Sequence, residues 1–232
     1  MNIYGFQKTT LLDFPGKVAC TVFLGGCNFR CPFCHNPSLV FPSEFPEPIN
    51  EEEFFGYIKK RKGILDGVCI TGGEPLLSKD IADFLRKIKD EGLSVKLDTN
   101  GTFPDRLESA VKEKLVDYVA MDIKNSRKNY GKAVGIDNYD TSAVEKSVSF
   151  LLQKTVPSEF RTTVVKGIHE AFDFIDIASW IQGAERYYLQ SFVNSGEILN
   201  AEAELSSFTR VEMEEFAKTV SETVKNVEIR GI

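Results

Sequence analysis

Three cysteines lie close together in the stretch GGCNFRCPFCHNP, residues 25–37. Their spacing, C-x3-C-x2-C, would let three thiolates from one loop reach a cubane iron–sulfur cluster. Such a cluster normally takes four cysteines, so Cys27, Cys31 and Cys34 would leave one iron open to bind another molecule. The alternative is a zinc knuckle with His35 as fourth ligand. Because an adjacent cysteine and histidine cannot easily bind one tetrahedral ion, the spacing favours a cluster.

A glycine pair followed by a carboxylate lies further along the chain, in TGGEP at residues 71–75. Gly72 and Gly73 have no side chains, so the backbone there would come close to a ligand. The Glu74 carboxylate beside them would accept hydrogen bonds from an ammonium group. Because Gly-Gly-Glu also occurs in ordinary turns, the position of this motif relative to the cysteine loop decides between the two interpretations.

Two more polar motifs end apolar segments of the chain. LDTNG contains Asp98 and Thr99, which would point into a site, although Asn-Gly also makes an ordinary turn at a strand end. MDIK contains Asp122 and Lys124, which lie on the same face of a strand because they are two residues apart. The simpler interpretation of this second pair is a surface ion pair, which contributes little to stability.

Short apolar strands and amphipathic helices alternate along the chain, and these segments must position the motifs. The alternation is typical of a parallel sheet covered by helices. Six β-α units and a terminal strand are too few for a closed eight-stranded barrel. The pattern therefore predicts an α/β fold, a partial open (β/α)6 barrel of the TIM type, with a doubly wound sheet as the alternative. The predicted strands span residues 18–24, 67–71, 94–98, 117–123, 159–165, 186–191 and 227–230. The predicted helices run from the cap Asn50 to residue 62, from the cap Ser78 through 79–91, and over 104–115, 141–154, 171–182 and 208–225.

The motifs fall just after strands in this assignment. The cysteine loop, residues 25–48, follows the first predicted strand, and TGGEP, LDTNG and MDIK end the next three. Both candidate architectures place their functional residues at the carboxyl edge of the sheet. The four motifs are therefore expected to face one common site. A purely structural metal loop would have no use for the other three motifs.

Composition restricts the class of protein. The 232 residues fit one domain, residues 1–232, which is long enough to bury a sizeable core. The net charge of −6 argues against general binding to nucleic acid or to anionic lipid. No signal peptide and no membrane span is evident, so a cytoplasmic location is expected. Cys20 and Cys69 lie in apolar strands and are expected to be reduced core residues.

The pattern C-x3-C-x-aromatic-C, with Phe33 as the aromatic residue, resembles the signature of the radical S-adenosylmethionine (SAM) superfamily. The resemblance implies a [4Fe–4S] cluster on Cys27, Cys31 and Cys34, whose open iron chelates the amino and carboxylate groups of SAM. It implies that one electron from the cluster cleaves a sulfur–carbon bond of SAM. The resulting 5′-deoxyadenosyl radical then abstracts a hydrogen atom. The resemblance also assigns GGEP to the methionine amino group of SAM.

Segments from KTTLLDFPGKVACTVFLGGCNFRCPFCHNP to EFRTTVV are similar to anaerobic ribonucleoside-triphosphate reductase activating proteins and, more distantly, to pyruvate formate-lyase activating enzymes. This resemblance implies an activase that generates a glycyl radical on that reductase, supplied with electrons by a reductant such as flavodoxin or ferredoxin. It implies that Lys124 contacts the SAM carboxylate and that Asp98, Thr99 and Asp122 lie at the cofactor. A monovalent cation is implied near Asp98 and Asp122. Only two cysteines remain beyond the triplet, so one cluster is implied.

Four other residues have competing interpretations. Arg161 lies either near the cofactor or in an ion pair at the sheet edge. His169 is expected to be a solvated loop residue rather than a ribose or adenine contact, Gln190 is a candidate to line the site, and Trp180 is expected to pack in the core.

Two other functions compete with the activase. One is a radical SAM enzyme acting on another glycyl-radical enzyme or on a small molecule, for instance of the deazapurine-forming kind. The other is a non-catalytic iron–sulfur or zinc protein. A small-molecule enzyme would need a pocket with convergent polar groups beyond the SAM site.

Overall fold

An eight-stranded sheet is the framework of the protein in the computed structural model, which describes residues 1–194 and 198–232. The strands follow one another across the sheet in chain order. The first is antiparallel to the second, and every later strand is parallel to its neighbours. The strands are β1 (Ile3–Thr10), β2 (Ala19–Leu24), β3 (Gly67–Gly72), β4 (Ser94–Thr99), β5 (Tyr118–Asp122), β6 (Ser158–Val164), β7 (Arg186–Ser191) and β8 (Asn226–Arg230).

Helices connect the parallel strands and pack their apolar sides against the sheet. The Asn50 side chain caps the first helix by accepting a hydrogen bond from the Glu53 N–H at 2.8 Å, as predicted. In the described part of the chain, no helix has the length and apolar character needed to cross a membrane. The helices are α1 (Glu51–Lys60), α2 (Ile81–Asp90), α3 (Pro104–Lys112), α4 (Tyr130–Val134), α5 (Ser142–Leu151), α6 (Ala171–Trp180) and α7 (Arg210–Ser221).

The sequential strand order identifies the architecture as a partial, open β/α barrel. A doubly wound sheet would instead reverse its strand order at a switch point. The seven predicted strands are present, and their ends differ from the prediction by at most one residue. The sequence does not predict β1. Only its two end residues are buried, so β1 lacks the alternating apolar pattern by which a half-buried strand is recognised.

Three predictions about helices are wrong. The segment 124–140, to which the sequence analysis assigns neither helix nor strand, contains the short helix α4, which ends where Gly135 adopts a left-handed conformation with φ of 67°. Ser78 is not the cap of α2, because the helix begins after Asp80, whose N–H donates to the Ser78 hydroxyl at 3.4 Å. Several helices also end earlier than predicted, since their last residues continue as turns.

The two faces of the parallel strands differ in polarity. Along β4, Val95 and Leu97 belong to the apolar core under the helices, while Lys96 and Asp98 lie on the opposite face and contact each other. Lys96 is only 2 % exposed. The barrel therefore has an inner face that carries buried and half-buried charges, and the packing of helices on the outer face provides the hydrophobic core.

The two isolated cysteines are buried and free, as predicted. Burial raises the pKa of the Cys20 thiol to about 12. Cys69 has charged neighbours, because its Sγ lies 3.8 Å from both Lys96 Nζ and Asp98 Oδ1. Its surroundings are therefore those of the polar inner face of the barrel and not those of the apolar core.

Candidate functional site

A cavity of about 200 Å³ opens at the carboxyl edge of β2 to β6. The four sequence motifs meet there, as the strand assignment predicts. Of the eleven residues that the four motifs contribute to the predicted site, Glu74 alone does not line this cavity. The ten that do are Cys27, Cys31, Phe33, Cys34, Gly72, Gly73, Asp98, Thr99, Asp122 and Lys124.

Backbone hydrogen bonds hold the cysteine loop from two sides. The Gly26 N–H donates to the Leu39 carbonyl at 2.8 Å, within the segment that follows β2. The Arg30 N–H donates to the Val134 carbonyl at 2.8 Å, which attaches the middle of the loop to the end of α4. The loop that carries the thiols is therefore fixed by neighbours that do not themselves line the cavity.

The three thiols differ in exposure. Cys31 is buried, whereas Cys27 and Cys34 are half-buried. Burial raises the pKa of the Cys31 thiol to about 12, and the nearby Lys124 ammonium acts in the opposite direction. Burial also raises the pKa of Cys27. Because a metal ligand must be a thiolate, binding of a metal group here releases protons that these thiols otherwise keep.

The glycine pair allows two backbone segments to touch. A side chain at Gly72, whose φ is 119°, would place its Cβ 2.2 Å from the Leu24 carbonyl oxygen. A Cβ at Gly73 would lie 2.1 Å from the Gly26 carbonyl oxygen. Both glycines are therefore required for the contact between the end of β3 and the start of the cysteine loop, in addition to lining the cavity.

The Glu74 carboxylate is buried and joins two loops of the site. It accepts hydrogen bonds from the Thr99 hydroxyl at 2.8 Å, from the Asn100 N–H at 2.7 Å and from the Leu76 N–H at 3.0 Å. Burial nevertheless raises its pKa from 4.5 to about 7. The Glu74 carboxylate therefore uses most of its hydrogen-bonding capacity within the protein, and its contacts with Thr99 and Asn100 orient the DTNG loop.

Five side chains of alternating charge form a continuous chain beside the cavity, and all of them except Lys96 line it. Lys96 Nζ lies 2.5 Å from Asp98 Oδ1, and Arg161 Nη1 lies 3.1 Å from Asp98 Oδ2. Arg161 Nε lies 3.0 Å from Asp122 Oδ1, and Lys124 Nζ lies 2.9 Å from Asp122 Oδ2. The chain contains three cations and two anions, so it carries one net positive charge, and Lys124 is its end at the cavity.

Mutual pairing keeps both aspartates ionised. Burial alone would raise the pKa of Asp122, but Arg161 and Lys124 outweigh it and hold the pKa at about 2. Burial is likewise outweighed at Asp98, where Arg161 and Lys96 lower the pKa. Each carboxylate near which a monovalent cation is expected is thus already paired with two side-chain cations. The expected cation remains a prediction.

Lys96 is the member of this chain that the sequence analysis misses. Lys96 and Asp98 are two residues apart in VKLD, so the spacing rule that pairs Asp122 with Lys124 also applies to them. The Asp122–Lys124 pair belongs to this half-buried chain of charges and is not an isolated surface ion pair. Arg161 of β6 joins the Lys96–Asp98 pair to the Asp122–Lys124 pair, because its guanidinium contacts both aspartates.

The expectation of a solvated His169 is wrong. Its side chain is 3 % exposed, and Nδ1 accepts a hydrogen bond from the Val165 N–H at 3.1 Å. Nε2 therefore carries the proton and donates to the Lys124 carbonyl at 2.9 Å. Burial lowers its pKa, which is consistent with a neutral ring that positions the Lys124 backbone. Trp180 is buried in the core as predicted, and Gln190 does not line the cavity.

The arrangement of the three thiols decides which metal group fits them. They line the wall of one cavity, and among the described residues no three Cys, His, Asp or Glu side chains come together as ligands of a single ion. A cubane cluster is larger than one ion and binds each thiolate through a different iron. His35, the proposed fourth zinc ligand, is hydrogen-bonded through Nε2 to the Val193 carbonyl at 2.8 Å. The site therefore fits a cluster better than a zinc ion.

Comparison with protein families identifies the superfamily of the chain. The model of the radical SAM superfamily matches residues 21–181, well over half of the 232 residues. The chain belongs to the radical SAM superfamily. Enzymes of this superfamily use a [4Fe–4S] cluster and SAM. Of the residues in the carboxyl-edge site described above, all those from the cysteine loop through Arg161 fall within the matched range.

Several known proteins are similar to this chain in sequence. A Methanocaldococcus jannaschii protein, whose name gives a provisional assignment as a glycyl-radical enzyme activating enzyme, is 32% identical over 99% of this chain and 96% of its own length. Pyruvate formate-lyase 1-activating enzyme of Escherichia coli K12 is 29% identical over 72% of this chain and 68% of its own length. A Thermococcus kodakarensis protein, named provisionally as a GTP 3′,8-cyclase, is 28% identical over 66% of this chain and 50% of its own.

Solved structures show the same radical SAM fold. Streptococcus suis SuiB bound to the precursor peptide SuiA matches with a TM-score of 0.70 and 13% identity, over 91% of this chain and 48% of SuiB. A domain of pyruvate-formate lyase-activating enzyme from Bacteroides vulgatus matches with a TM-score of 0.57 and 14% identity, over 71% of this chain and 99% of that domain. These similarities are in the fold, the partial barrel.

Proposed function

We propose that this radical SAM enzyme is an activase that generates a glycyl radical on a partner enzyme, and that the partner is an anaerobic ribonucleoside-triphosphate reductase. In this proposal residues 1–232 act as one radical SAM domain with one cluster, held by Cys27, Cys31 and Cys34. The protein would work in the cytoplasm with a reductant such as flavodoxin or ferredoxin. The choice of reductase as partner comes from the sequence similarity of the motif segments.

The extent of the similarity to an activase is the observation that carries this proposal. The M. jannaschii relative, provisionally an activating enzyme, aligns over 96% of its own length, so it has the same size and the same segments throughout. The relative assigned as a GTP cyclase aligns over only 50% of its length, so half of that protein has no counterpart here. An alignment from end to end supports a shared activity more strongly than one that covers the common cofactor-binding half.

The charges of the site support binding of SAM at the cavity. The chain from Lys96 to Lys124 carries one net positive charge and ends at Lys124, where the SAM carboxylate would bind. When bound, the cluster supplies the electron that cleaves SAM. Gly72 and Gly73 hold the end of β3 against the cysteine loop, and Glu74 orients the DTNG loop, so these residues determine the shape of the cavity that SAM enters.

The further polar residues that the sequence analysis singles out offer little for recognition of a second small molecule. Of the three further polar candidates, Arg161 is paired with two aspartates, His169 is hydrogen-bonded to backbone atoms, and Gln190 lies outside the cavity. A small-molecule enzyme needs additional polar groups that converge on its substrate. None of these three residues is free to bind a second small molecule, which favours a substrate whose recognition surface lies outside the cavity, as for a protein loop that carries the target glycine.

The test is an electron paramagnetic resonance experiment under anaerobic conditions. The protein is reconstituted with iron and sulfide, reduced, and mixed with SAM and the anaerobic ribonucleotide reductase of the same organism. We expect a glycyl-type doublet on the reductase, together with 5′-deoxyadenosine in the same tube. Cys31→Ala is the control, because it removes one cluster ligand and should give neither product.

Other outcomes would change the proposal in different ways. Cleavage of SAM without a doublet on the reductase would exclude this partner and direct the search to another glycyl-radical enzyme or a small molecule. Formation of 5′-deoxyadenosine by Cys31→Ala would contradict the assignment of the cluster ligands.

A further inference from the structure

Lys96 carries an ammonium group that is buried inside the barrel. Its side chain is 2 % exposed, and it lies on β4 directly opposite Cys69 of β3 in the sheet register. Nζ lies 2.5 Å from Asp98 Oδ1 and 3.8 Å from Cys69 Sγ. Asp98 lines the cavity, whereas Lys96 does not. The ammonium group therefore reaches the Asp98 carboxylate from within the barrel and not from the cavity.

This lysine keeps its charge in spite of its burial. An ionised group removed from water is costly unless it is paired. Burial would lower the pKa of Lys96, but the negative charge of Asp98 outweighs it, and the pKa is raised. Lys96 therefore supplies a full positive charge to the carboxylate that it contacts.

Each carboxylate oxygen of the two aspartates at the cavity already faces a cationic side chain. Lys96 and Arg161 contact the two oxygens of Asp98, at 2.5 Å and 3.1 Å. Arg161 and Lys124 contact the two oxygens of Asp122, at 3.0 Å and 2.9 Å. The resemblance to activases implies a monovalent cation near these carboxylates. The residues do not fit such an ion, because three cations already outnumber two carboxylates and would repel a fourth.

A further carboxylate on the inner face has partners of its own. Glu159 lies two residues before Arg161 on β6, so the two side chains share a face of the sheet. Its Oε2 accepts a hydrogen bond from the Tyr118 hydroxyl at 2.7 Å, and its Oε1 lies 3.9 Å from Arg230 Nη1. Glu159 is therefore accompanied by a cation and does not supply the negative charge that an added ion would need.

We propose that the Lys96 ammonium takes the place of the monovalent cation at Asp98, so that this enzyme binds SAM without added K⁺ or Na⁺. Lys96 is then a positioning residue, which acts on the site through Asp98 and Arg161. Its removal would free one Asp98 oxygen and open a space in which a small cation can bind. The inference rests on the proposed function, because the cation that Lys96 replaces is one that the resemblance to activases implies.

The first test measures the stability of the protein without cluster or SAM. Wild type, Lys96→Ala and Lys89→Ala are unfolded anaerobically with urea in the chlorides of potassium, sodium and tetramethylammonium. The ionic strength is kept equal, so that screening is the same in each salt. Tetramethylammonium is too large for the space that an ammonium group leaves. Lys89→Ala is the matched control, because Lys89 contacts both oxygens of Asp117, at 2.8 Å and 2.7 Å, and neither residue lines the cavity.

We expect only Lys96→Ala to gain stability from a small cation. Its ratio of folded to unfolded protein, divided by that of wild type in the same salt, should rise about tenfold from tetramethylammonium chloride to the better of KCl and NaCl, as for an ion present at about ten times its Kd. The corresponding quotient for Lys89→Ala should be the same in all three salts. A lysine with a purely structural role would cause a loss of stability that does not depend on the cation.

The second test needs no variant. Wild-type protein is reconstituted, its iron and sulfide content is measured, and it is titrated with SAM in the same three salts. The Kd for SAM should be the same in all of them, since Lys96 balances the charge of Asp98 whatever cation the solution contains.

Two results would overturn the inference. Tighter binding of SAM by wild type in KCl or NaCl than in tetramethylammonium chloride would show that the site takes up a cation although Lys96 is present. A loss of stability in Lys96→Ala that is the same in all three salts would show that Lys96 does not occupy a cation site. Both results leave the proposed function intact. Wild type that carries a full cluster but binds SAM in none of the salts would overturn the proposed function, and the inference with it.

Discussion

Replacing Glu74 with glutamine should change the stability of the protein in a manner that depends on pH. The folded structure raises the pKa of this carboxyl from 4.5 to about 7, chiefly because the group is buried. The folded protein therefore binds a proton at Glu74 more readily than the unfolded chain. By linkage, this group contributes stability that is fully present below about pH 4.5 and is lost as the pH rises through about 7. Glutamine cannot take up that proton.

The size of the effect follows from the two pKa values. A difference of about 2.5 units corresponds to about 3 kcal/mol at 1.36 kcal/mol per unit. Between pH 8 and pH 6, the stability of wild type relative to Glu74→Gln should rise by about 1.4 kcal/mol, the part of the total that develops in that range. The variant should also be less stable at pH 8, by about 1–3 kcal/mol. The NH2 group of glutamine would replace one of the two carboxylate oxygens, each of which accepts hydrogen bonds in the wild type. It would therefore face a hydrogen-bond donor, either the Asn100 N–H or the donors at the other oxygen.

The assay is anaerobic denaturant unfolding of both proteins, without cluster or SAM, at several pH values from about 6 to 8. Other titrating groups cancel in the difference between wild type and variant, so the slope reports on Glu74. Glu52→Gln, at an exposed position of α1, controls for the loss of a negative charge. A stability difference that does not vary across this pH range would refute the argument that burial raises the pKa of Glu74.

Three further predictions concern the same site. Gly73→Ala should destabilise the protein by about 1–3 kcal/mol in denaturant unfolding, because its Cβ would lie 2.1 Å from the Gly26 carbonyl oxygen. The control Gly56→Ala, at a position where no atom lies within 4 Å of the new Cβ, should instead stabilise α1 by about 0.5–1 kcal/mol. Equal effects of the two substitutions would contradict the contact at Gly73. Arg161→Met removes the cation shared by Asp98 and Asp122 and should cost about 1–3 kcal/mol in the same assay, less than a fully buried pair because both aspartates are half-buried and each keeps a lysine. An unchanged stability would mean that the chain of charges does not act as a unit. Lys124→Ala should weaken SAM binding in a calorimetric titration by about tenfold to a hundredfold while iron and sulfide content stays at the wild-type level; unchanged affinity would withdraw its role.

The strands could be predicted from the sequence because their signal is local. Runs of apolar and β-branched residues between polar loops identify β2 to β8 to within one residue. Placing the motifs at the carboxyl ends of those strands was then enough to predict one common site. β1 lacks such a signal, since most of its residues are at least partly exposed and it forms by antiparallel pairing with β2.

The details of the site depend on contacts between distant segments, which the sequence does not display. Spacing identifies Glu74 as a candidate site residue, but only the positions of Thr99 and Asn100 show that its carboxylate is turned away from the cavity. His169 follows a strand in a polar segment, so the sequence predicts an exposed side chain. In the structure it is buried and hydrogen-bonded to the backbone of Val165 and Lys124.

The central claim is that three cysteines of this chain hold a cluster that cleaves SAM reductively. The most direct measurement is the amount of 5′-deoxyadenosine formed when the reconstituted, reduced protein is mixed with SAM without oxygen, compared with Cys31→Ala treated in the same way. The account predicts formation of 5′-deoxyadenosine by wild type that depends on the reductant, and none by the variant. Wild-type protein that contains a [4Fe–4S] cluster and binds SAM but forms no 5′-deoxyadenosine would contradict it.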